Sequence, residues 1–297
     1  KSIGLIIIKV EGILLRFKRT LSLFMFILIS AGLLAGCGTS ASNESEDGVR
    51  KVKVAYVQSS KPITFTDENG EATGYDVEVL KEVEKLLPDY EFEFVGTSDD
   101  DLLLGVEQGK YQIGVKNAFY TEERTKKFIY PKEFLGLSST GLLLKTENEH
   151  IKSLEDFASA GLTLAPIAAN NAQYTVVAEY NEENPDNPVK LEAGDTFTVD
   201  VVQWVNEGRV DGGIMIEAAL ERTLYGEDAP YKDLQDEVVY NEFAVIKTWP
   251  LFNKEEQELA DAYDEAIKQV REEGKDQEIM QEFYGKNLFE LLDEVER

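Results

Sequence analysis

Cysteine and histidine are nearly missing from this chain, and with them most of the means of building a metal centre or a nucleophile–base pair. One cysteine, Cys37, occurs in 297 residues, so no disulfide can form within the chain. The one histidine, His150, falls in the polar run Glu147-Asn148-Glu149-His150 and reads as a loop residue. A four-ligand zinc site and Ser–His or Cys–His catalysis are therefore not expected in the folded body. Neither a metal, a cofactor nor a catalytic residue is expected. Positive charge is also scarce, with 30 Lys and Arg against 57 Asp and Glu and a formal net charge of -27. Residues 1–36 carry +4, from Lys1, Lys9, Arg16, Lys18 and Arg19 against Glu11, which leaves -31 for the remainder. Such a body repels nucleic acid and anionic bilayer surfaces at long range, and nucleic acid is not an expected partner.

What is present describes a globular protein, with 43% hydrophobic and 29% charged residues and length for one large domain or two ordinary ones. The basic start is followed by the apolar run Leu21–Ser30 and by Ala31-Gly32-Leu33-Leu34-Ala35-Gly36-Cys37. Basic region, short apolar core and small residues are the layout of an export signal. The sequence begins at Lys1 rather than Met. Residues 38–48 are small, polar and aperiodic, the composition of a flexible tether.

From Lys51 the pattern is α/β. Lys51–Val57 alternates and is β-branched, predicting a strand, and Tyr90–Val95 predicts another. Between them Val77, Leu80, Val83 and Leu87 keep helical spacing after Gly74. Asp101 is expected to start a further helix, and Tyr111–Val115 a strand. The glycine- and serine-containing run 136–141 suits a crossing between lobes, followed by a strand at Leu142–Lys145. A second set follows. It comprises a capped helix at Ser153, a strand over Leu162–Ile167, and a capping box with Asn170 as cap and Gln173 three residues on. A helix through Val199, Val202, Trp204 and Val205 then leads to a strand ending at Glu217. Phe243–Lys247 reads as the strand that returns to the first set. In the helix expected from Glu255 to Arg271, Leu259, Ala262, Tyr263, Ala266, Ile267 and Val270 form one apolar face.

The most informative stretch is Ile113–Arg124, where a strand runs into a polar turn and Thr121 can cap a short helix with Arg124 at its third position. That places a guanidinium beside freshly ended strand and helix backbone, a setting that can grip a small anion.

Several pieces in order resemble one family. They are Lys61–Phe65 with Asp67–Gly70, Gly74–Leu80, Thr121-Glu122-Glu123-Arg124, Gly208-Arg209-Val210-Asp211, and Glu273-Gly274-Lys275 to Phe283-Tyr284-Gly285. Together they resemble the polar amino-acid type of extracellular solute-binding protein, which serves ABC importers. Leu34–Cys37 resembles the lipobox of bacterial lipoproteins, in which cleavage precedes the cysteine and its thiol is lipidated. The resemblance implies a type II periplasmic-binding (Venus-flytrap) α/β fold whose two lobes close on a ligand. A signal peptide over 1–36 and a tether over 37–49 would precede them. The first lobe would be discontinuous, 50–138 plus 240–297, with the second lobe at 139–239. It further implies a monomer tethered by lipid on Cys37 to the outer face of a bacterial membrane, with a permease partner and an amino-acid ligand.

In that family the arginine matching Arg124 holds the ligand's α-carboxylate, for which a bidentate guanidinium suits better than lysine. Lys116, Asn117 and Phe119 match the turn that faces the ligand. Asn170 and Asn171 match a second-lobe helix N-terminus offered to the same carboxylate. The family's ammonium-binding Asp falls here at Ile216. Glu217, one residue on, is the substitute candidate, although a one-residue shift in a strand reverses the face. Ser60 stands where many members carry an aromatic residue, and Val57 where some carry an acid. The Lys116-Asn117 turn and the 181–188 loop resemble the cystine-type branch. The alternatives on the same fold are a ligand sensor and a dehydratase-like enzyme, for which only Glu217, Lys116 and Asp76 offer an acid or base.

Overall fold

The computed structural model describes residues 48–169, 171–194 and 200–295, all within one compact unit, Glu44–Arg297. The expected export signal, Cys37 and most of the tether lie outside these residues, as do Asn170 and Val199. No helix among the described residues is long and apolar enough to cross a membrane.

The first lobe is organised around β1 (Arg50–Val57), which pairs in parallel with β5 (Tyr90–Thr97) on one side and β6 (Ile113–Ala118) on the other. Alternation along β1 sends residues to opposite faces. Val52, Val54 and Tyr56 pack with Val77, Leu80 and Val83 of helix α1 (Tyr75–Lys85). Ala55 turns the other way, to Leu102 and Val106 of α2 (Asp99–Glu107). Helices lie on both faces of this part of the sheet, while Lys51 and Lys53 of β1 and Glu91 and Glu93 of β5 stay exposed. The loop expected after β1 folds as a small antiparallel sheet, β2 (Ser59–Ser60), β3 (Thr64–Thr66) and β4 (Ala72–Thr73).

Helix α2 starts two residues earlier than expected, because Ser98 and not a later residue caps it: its side chain accepts the Asp101 N–H at 3.2 Å. The three acids Asp99, Asp100 and Asp101 then occupy the first turn, where the helix dipole favours them. Thr121 does cap helix α3 (Glu122–Thr125), as expected.

Two long strands connect the lobes. The run 136–141 and the strand after it are one element, β7 (Gly136–Lys145), and β11 (Val238–Phe252) is far longer than Phe243–Lys247. They pair antiparallel from Lys145 opposite Val238 to Gly136 opposite Thr248. Nine of the ten β7 residues are buried, so the solvent-facing alternation that marks a strand in sequence is absent. Gly136 is obligatory for packing, since a Cβ there would stand 2.3 Å from the Tyr75 ring.

In the second lobe Leu142 and Leu144 face Ile151, Leu154 and Phe157, the last two on α4 (Leu154–Ser159). Leu143 points oppositely, and its core includes Leu224 and Val238. Each of these three leucines is fully buried, which contributes about 2 kcal/mol relative to exposure. The strand expected over Leu162–Ile167 shrinks to β8 (Ile167–Ala168), paired with β9 (Ala193–Gly194), plus one bridge from Leu164 to Gly212. Pro166, which has no N–H to donate, breaks that ladder.

The capping box at Asn170 is corrected. Asn171 caps α5 (Ala172–Glu183) by accepting the Gln173 N–H at 3.2 Å, so Gln173 sits one position too early for a reciprocal box. Asp200 caps α6 (Val201–Asn206), which packs Val202 and Val205 against β10 (Gly212–Ile216). Helix α7 (Glu217–Leu220) follows directly and runs into a π-helical turn, Glu221–Tyr225.

The main sheet thus reads β10-β7-β11-β6-β1-β5. After β11 the chain returns to the first lobe through α8 (Gln257–Glu272), which starts two residues later than expected. Its Leu259, Tyr263, Ile267 and Val270 join the α1 core. Helix α9 (Lys275–Tyr284) and an unanticipated α10 (Leu288–Val295) complete it.

Candidate ligand-binding cleft

Strand β6 delivers the centre of the site. Ile113, Gly114 and Val115 are buried, and the strand emerges at Lys116 and Asn117. Asn117 has φ of 59°, the one positive φ outside glycine among the described residues. Asparagine tolerates this left-handed conformation better than most residues. The twist turns its backbone N–H to Oδ2 of Asp76 at 3.3 Å, while its Nδ2 donates to Ser138 Oγ on β7 at 3.2 Å. Its Oδ1 is buried without a partner.

Asp76 itself lies beneath this turn and is 3% exposed. Burial pushes its carboxyl up to about 7, and the single N–H from Asn117 offsets only part of that. Lys116, its side chain mostly buried, pairs with Asp99 in the first turn of α2.

Arg124 is held from two ends. Its backbone N–H is capped by Thr121 Oγ1 at 3.2 Å, and its Nη1 donates to the Phe119 carbonyl at 3.0 Å. The Tyr130 hydroxyl donates to the same carbonyl at 2.8 Å. Burial raises the Tyr130 phenol to about 12 despite the adjacent guanidinium, so it stays a donor at neutral pH. No carboxylate pairs with Arg124 among the described residues, which leaves its charge available.

The second lobe faces these groups with Asn171 and Gln173 at the start of α5, Ile216 at the end of β10, and Ala218, Ala219 and Arg222 beyond it. The resulting cavity measures about 500 Å³ and is walled by both lobes. Of the expected residues, the structure brings Arg124, Asn117, Lys116, Phe119, Asn171 and Ser60 to this one cavity. Asn170 lies outside the described residues.

Glu217 is not brought there. Ile216 takes the cleft-facing position, so its neighbour turns to a separate cavity of about 490 Å³ beside Tyr225, Tyr240 and Tyr284. Its Oε2 lies 2.8 Å from Lys286 Nζ, close enough to pair electrostatically but poorly aligned for a hydrogen bond. Asp211, which ends the Gly208–Asp211 piece, accepts both the backbone N–H and the hydroxyl of Thr163, at 2.8 and 2.6 Å, and serves the fold.

Among the lining residues not anticipated for this role, three carry a charge or an amide: Asp99, Gln173 and Arg222. Gln173 stood out only as a capping residue, yet its Oε1 is buried and unpaired. Arg222 had one signal, its rarity among so many acids. No group of three or more His, Cys, Asp or Glu among the described residues is placed to hold a metal ion.

A two-lobed α/β chain whose interlobe cavity presents an anchored guanidinium is a small-molecule receptor in architecture. The sequence pattern of the bacterial extracellular solute-binding proteins, family 3, matches residues 52–286, and the chain belongs to that family. It is 29% identical to the L-cystine-binding protein TcyJ of Bacillus subtilis, over 90% of this chain and 97% of that one. It is 27% identical to TcyK, another L-cystine-binding protein of that organism, over 88% and 93% of the two chains. Among solved structures, it resembles a probable amino-acid ABC transporter extracellular-binding protein, ytmK of Bacillus subtilis. The TM-score there is 0.60 at 25% identity, covering 80% of this chain and 98% of that one. The L-cystine solute receptor of Neisseria gonorrhoeae in its unliganded open conformation shares the fold. Its TM-score is 0.53 at 21% identity, over 80% and 93% of the chains. The type II two-lobed fold implied by the sequence is therefore the fold of this protein.

Proposed function

We propose that this protein captures a free polar amino acid, cystine or a related sulfur amino acid, and delivers it to the permease of an ABC importer. In this reading the first lobe is 50–138 plus 240–297 and the second 139–239, and lipid on Cys37 holds the monomer at the outer face of the membrane. The observation that carries it is Arg124, positioned by Thr121 and Phe119 and without a carboxylate partner among the described residues. A guanidinium fixed in this way at a cavity wall clamps a ligand α-carboxylate through two N–H groups. Asn171 and the first free N–H groups of α5 approach the same carboxylate from the other lobe. Lys116, Phe119 and Ser60 shape the pocket around it. The buried, unpartnered acceptors Asn117 Oδ1 and Gln173 Oε1, one from each lobe, receive the ligand's ammonium in place of Glu217. The named functions of TcyJ and TcyK support cystine as the ligand to test first.

Catalysis on the same fold has one feature in its favour, the Asp76 carboxyl tuned to about 7. A general acid or base has to reach its substrate, however, and Asp76 is 3% exposed and forms no part of the cavity wall. We therefore read the protein as a binder and not an enzyme. Thermal melts of the purified protein with each free amino acid and with cystine test this. A rise in melting temperature is expected for one or a few of them by ligand linkage, without chemical change to the compound. No shift with any of them at millimolar concentration refutes the reading, and turnover of the bound compound points to the enzyme.

A further inference from the structure

The described residues include five arginines: Arg50, Arg124, Arg209, Arg222 and Arg271. Three are committed to carboxylates, Arg50 to Glu256 at 2.6 Å, Arg209 to Glu207 at 2.6 Å, and Arg271 to Glu133 and Asp276 at 3.2 and 3.1 Å. In a chain with 57 acids that is the ordinary fate of an arginine. The two without a carboxylate partner, Arg124 and Arg222, line the same cavity from opposite lobes.

Arg222 also stands where that cavity opens into a second one of about 570 Å³, and the two share Asn171, Gln173, Ile216 and Ala219 as walls. The combined space exceeds what a single amino-acid head requires and falls in the range of extended ligands. Of the two acids in its walls, one is ion-paired and the other is hydrogen-bonded to neutral donors. Asp99 pairs with Lys116, while Asp200 accepts the Gln203 N–H at 3.1 Å and the Tyr231 hydroxyl. Among the described residues, the cationic groups of the cavity without a carboxylate partner are therefore two guanidiniums, Arg124 from the first lobe and Arg222 where the two cavities meet.

We infer that the ligand carries two carboxylates, the first held by Arg124 and the second by Arg222, so that lobe closure grips a two-headed amino acid at both ends. This rests on the amino-acid-binding reading and narrows it to a ligand class: two α-amino-acid heads joined by a short linker. It makes Arg222 the specificity-determining residue, since a one-headed ligand leaves that guanidinium unpaired in the closed cleft.

The test is calorimetric titration of the wild-type protein and Arg222→Ala with two probes. One is L-cystine, and the other is the mixed disulfide of L-cysteine and cysteamine, which lacks only the second carboxylate. The wild type is expected to bind cystine at least about tenfold more tightly than the mixed disulfide, the worth of one charge-assisted pair. Arg222→Ala is expected to remove that difference while binding the mixed disulfide as the wild type does, which also shows the variant to be folded. Equal affinity of the wild type for both probes, or equal loss for both in Arg222→Ala, overturns the second-carboxylate assignment and leaves amino-acid binding standing. Binding of neither probe by the wild type overturns both.

Discussion

Asp76 and Asn117 are joined beneath the cleft, the buried carboxyl accepting the N–H of the one left-handed non-glycine residue among those described, at 3.3 Å. The folded carboxyl titrates at about 7, against roughly 3.9 in an unfolded chain. Between those values the folded carboxyl binds more of the proton than the unfolded one, so the contribution of Asp76 to stability falls as pH rises through the window and levels above it. Asp76→Asn keeps an acceptor for Asn117 and removes the buried charge. The variant should match the wild type at pH 3.5, gain steadily to pH 7, and exceed it by a few kcal/mol at pH 8. Melting temperatures measured across pH check this; curves that stay parallel would contradict it.

Gly136 passes so close to Tyr75 that a Cβ would overlap the ring. Gly136→Ala should therefore destabilise the protein by about 1–3 kcal/mol through overpacking, read from denaturant midpoints. A neutral effect would mean that Tyr75 can move aside.

Thr121 bonds the backbone N–H of Arg124, which lines the interlobe cavity. Thr121→Ala should cost about 1 kcal/mol of stability and weaken ligand binding severalfold by loosening Arg124, and Thr121→Ser should restore both. Unfolding and titration measured on the same samples distinguish a loss confined to stability from one that reaches the site.

How much of this was legible in sequence depended on whether the signal was local. Arg124 was legible because a cap and the residue three positions on form a local code, and helix α8 because its apolar face repeats over sixteen residues. β7 was harder. Burial on both faces erases alternation, so a ten-residue strand looked like a glycine- and serine-rich crossing followed by a shorter strand. The α5 cap was misplaced by one residue because Asn170 and Asn171 are chemically equivalent candidates. Arg222 was illegible as a cavity-lining residue, since it sits in the π-helical turn after α7 and only the tertiary fold brings that turn to the wall that Arg124 shares.

Glu217 belongs to the neighbouring cavity and pairs with Lys286, which also pairs with Glu242. Glu217→Ala should change ligand affinity by no more than about fivefold, the scale of a partly exposed ion pair. A loss comparable to that of Arg124→Ala would return Glu217 to the ligand.

The proposed function stands on Arg124 clamping a ligand carboxylate in the interlobe cleft. Titration of the ligand identified by thermal melts into wild type, Arg124→Lys and Arg124→Ala, each checked for fold by circular dichroism, tests it most directly. Binding should fall at least about tenfold in Arg124→Lys, which keeps the charge but loses the bidentate fork, and vanish in Arg124→Ala. Wild-type affinity in a folded Arg124→Ala variant would contradict the account.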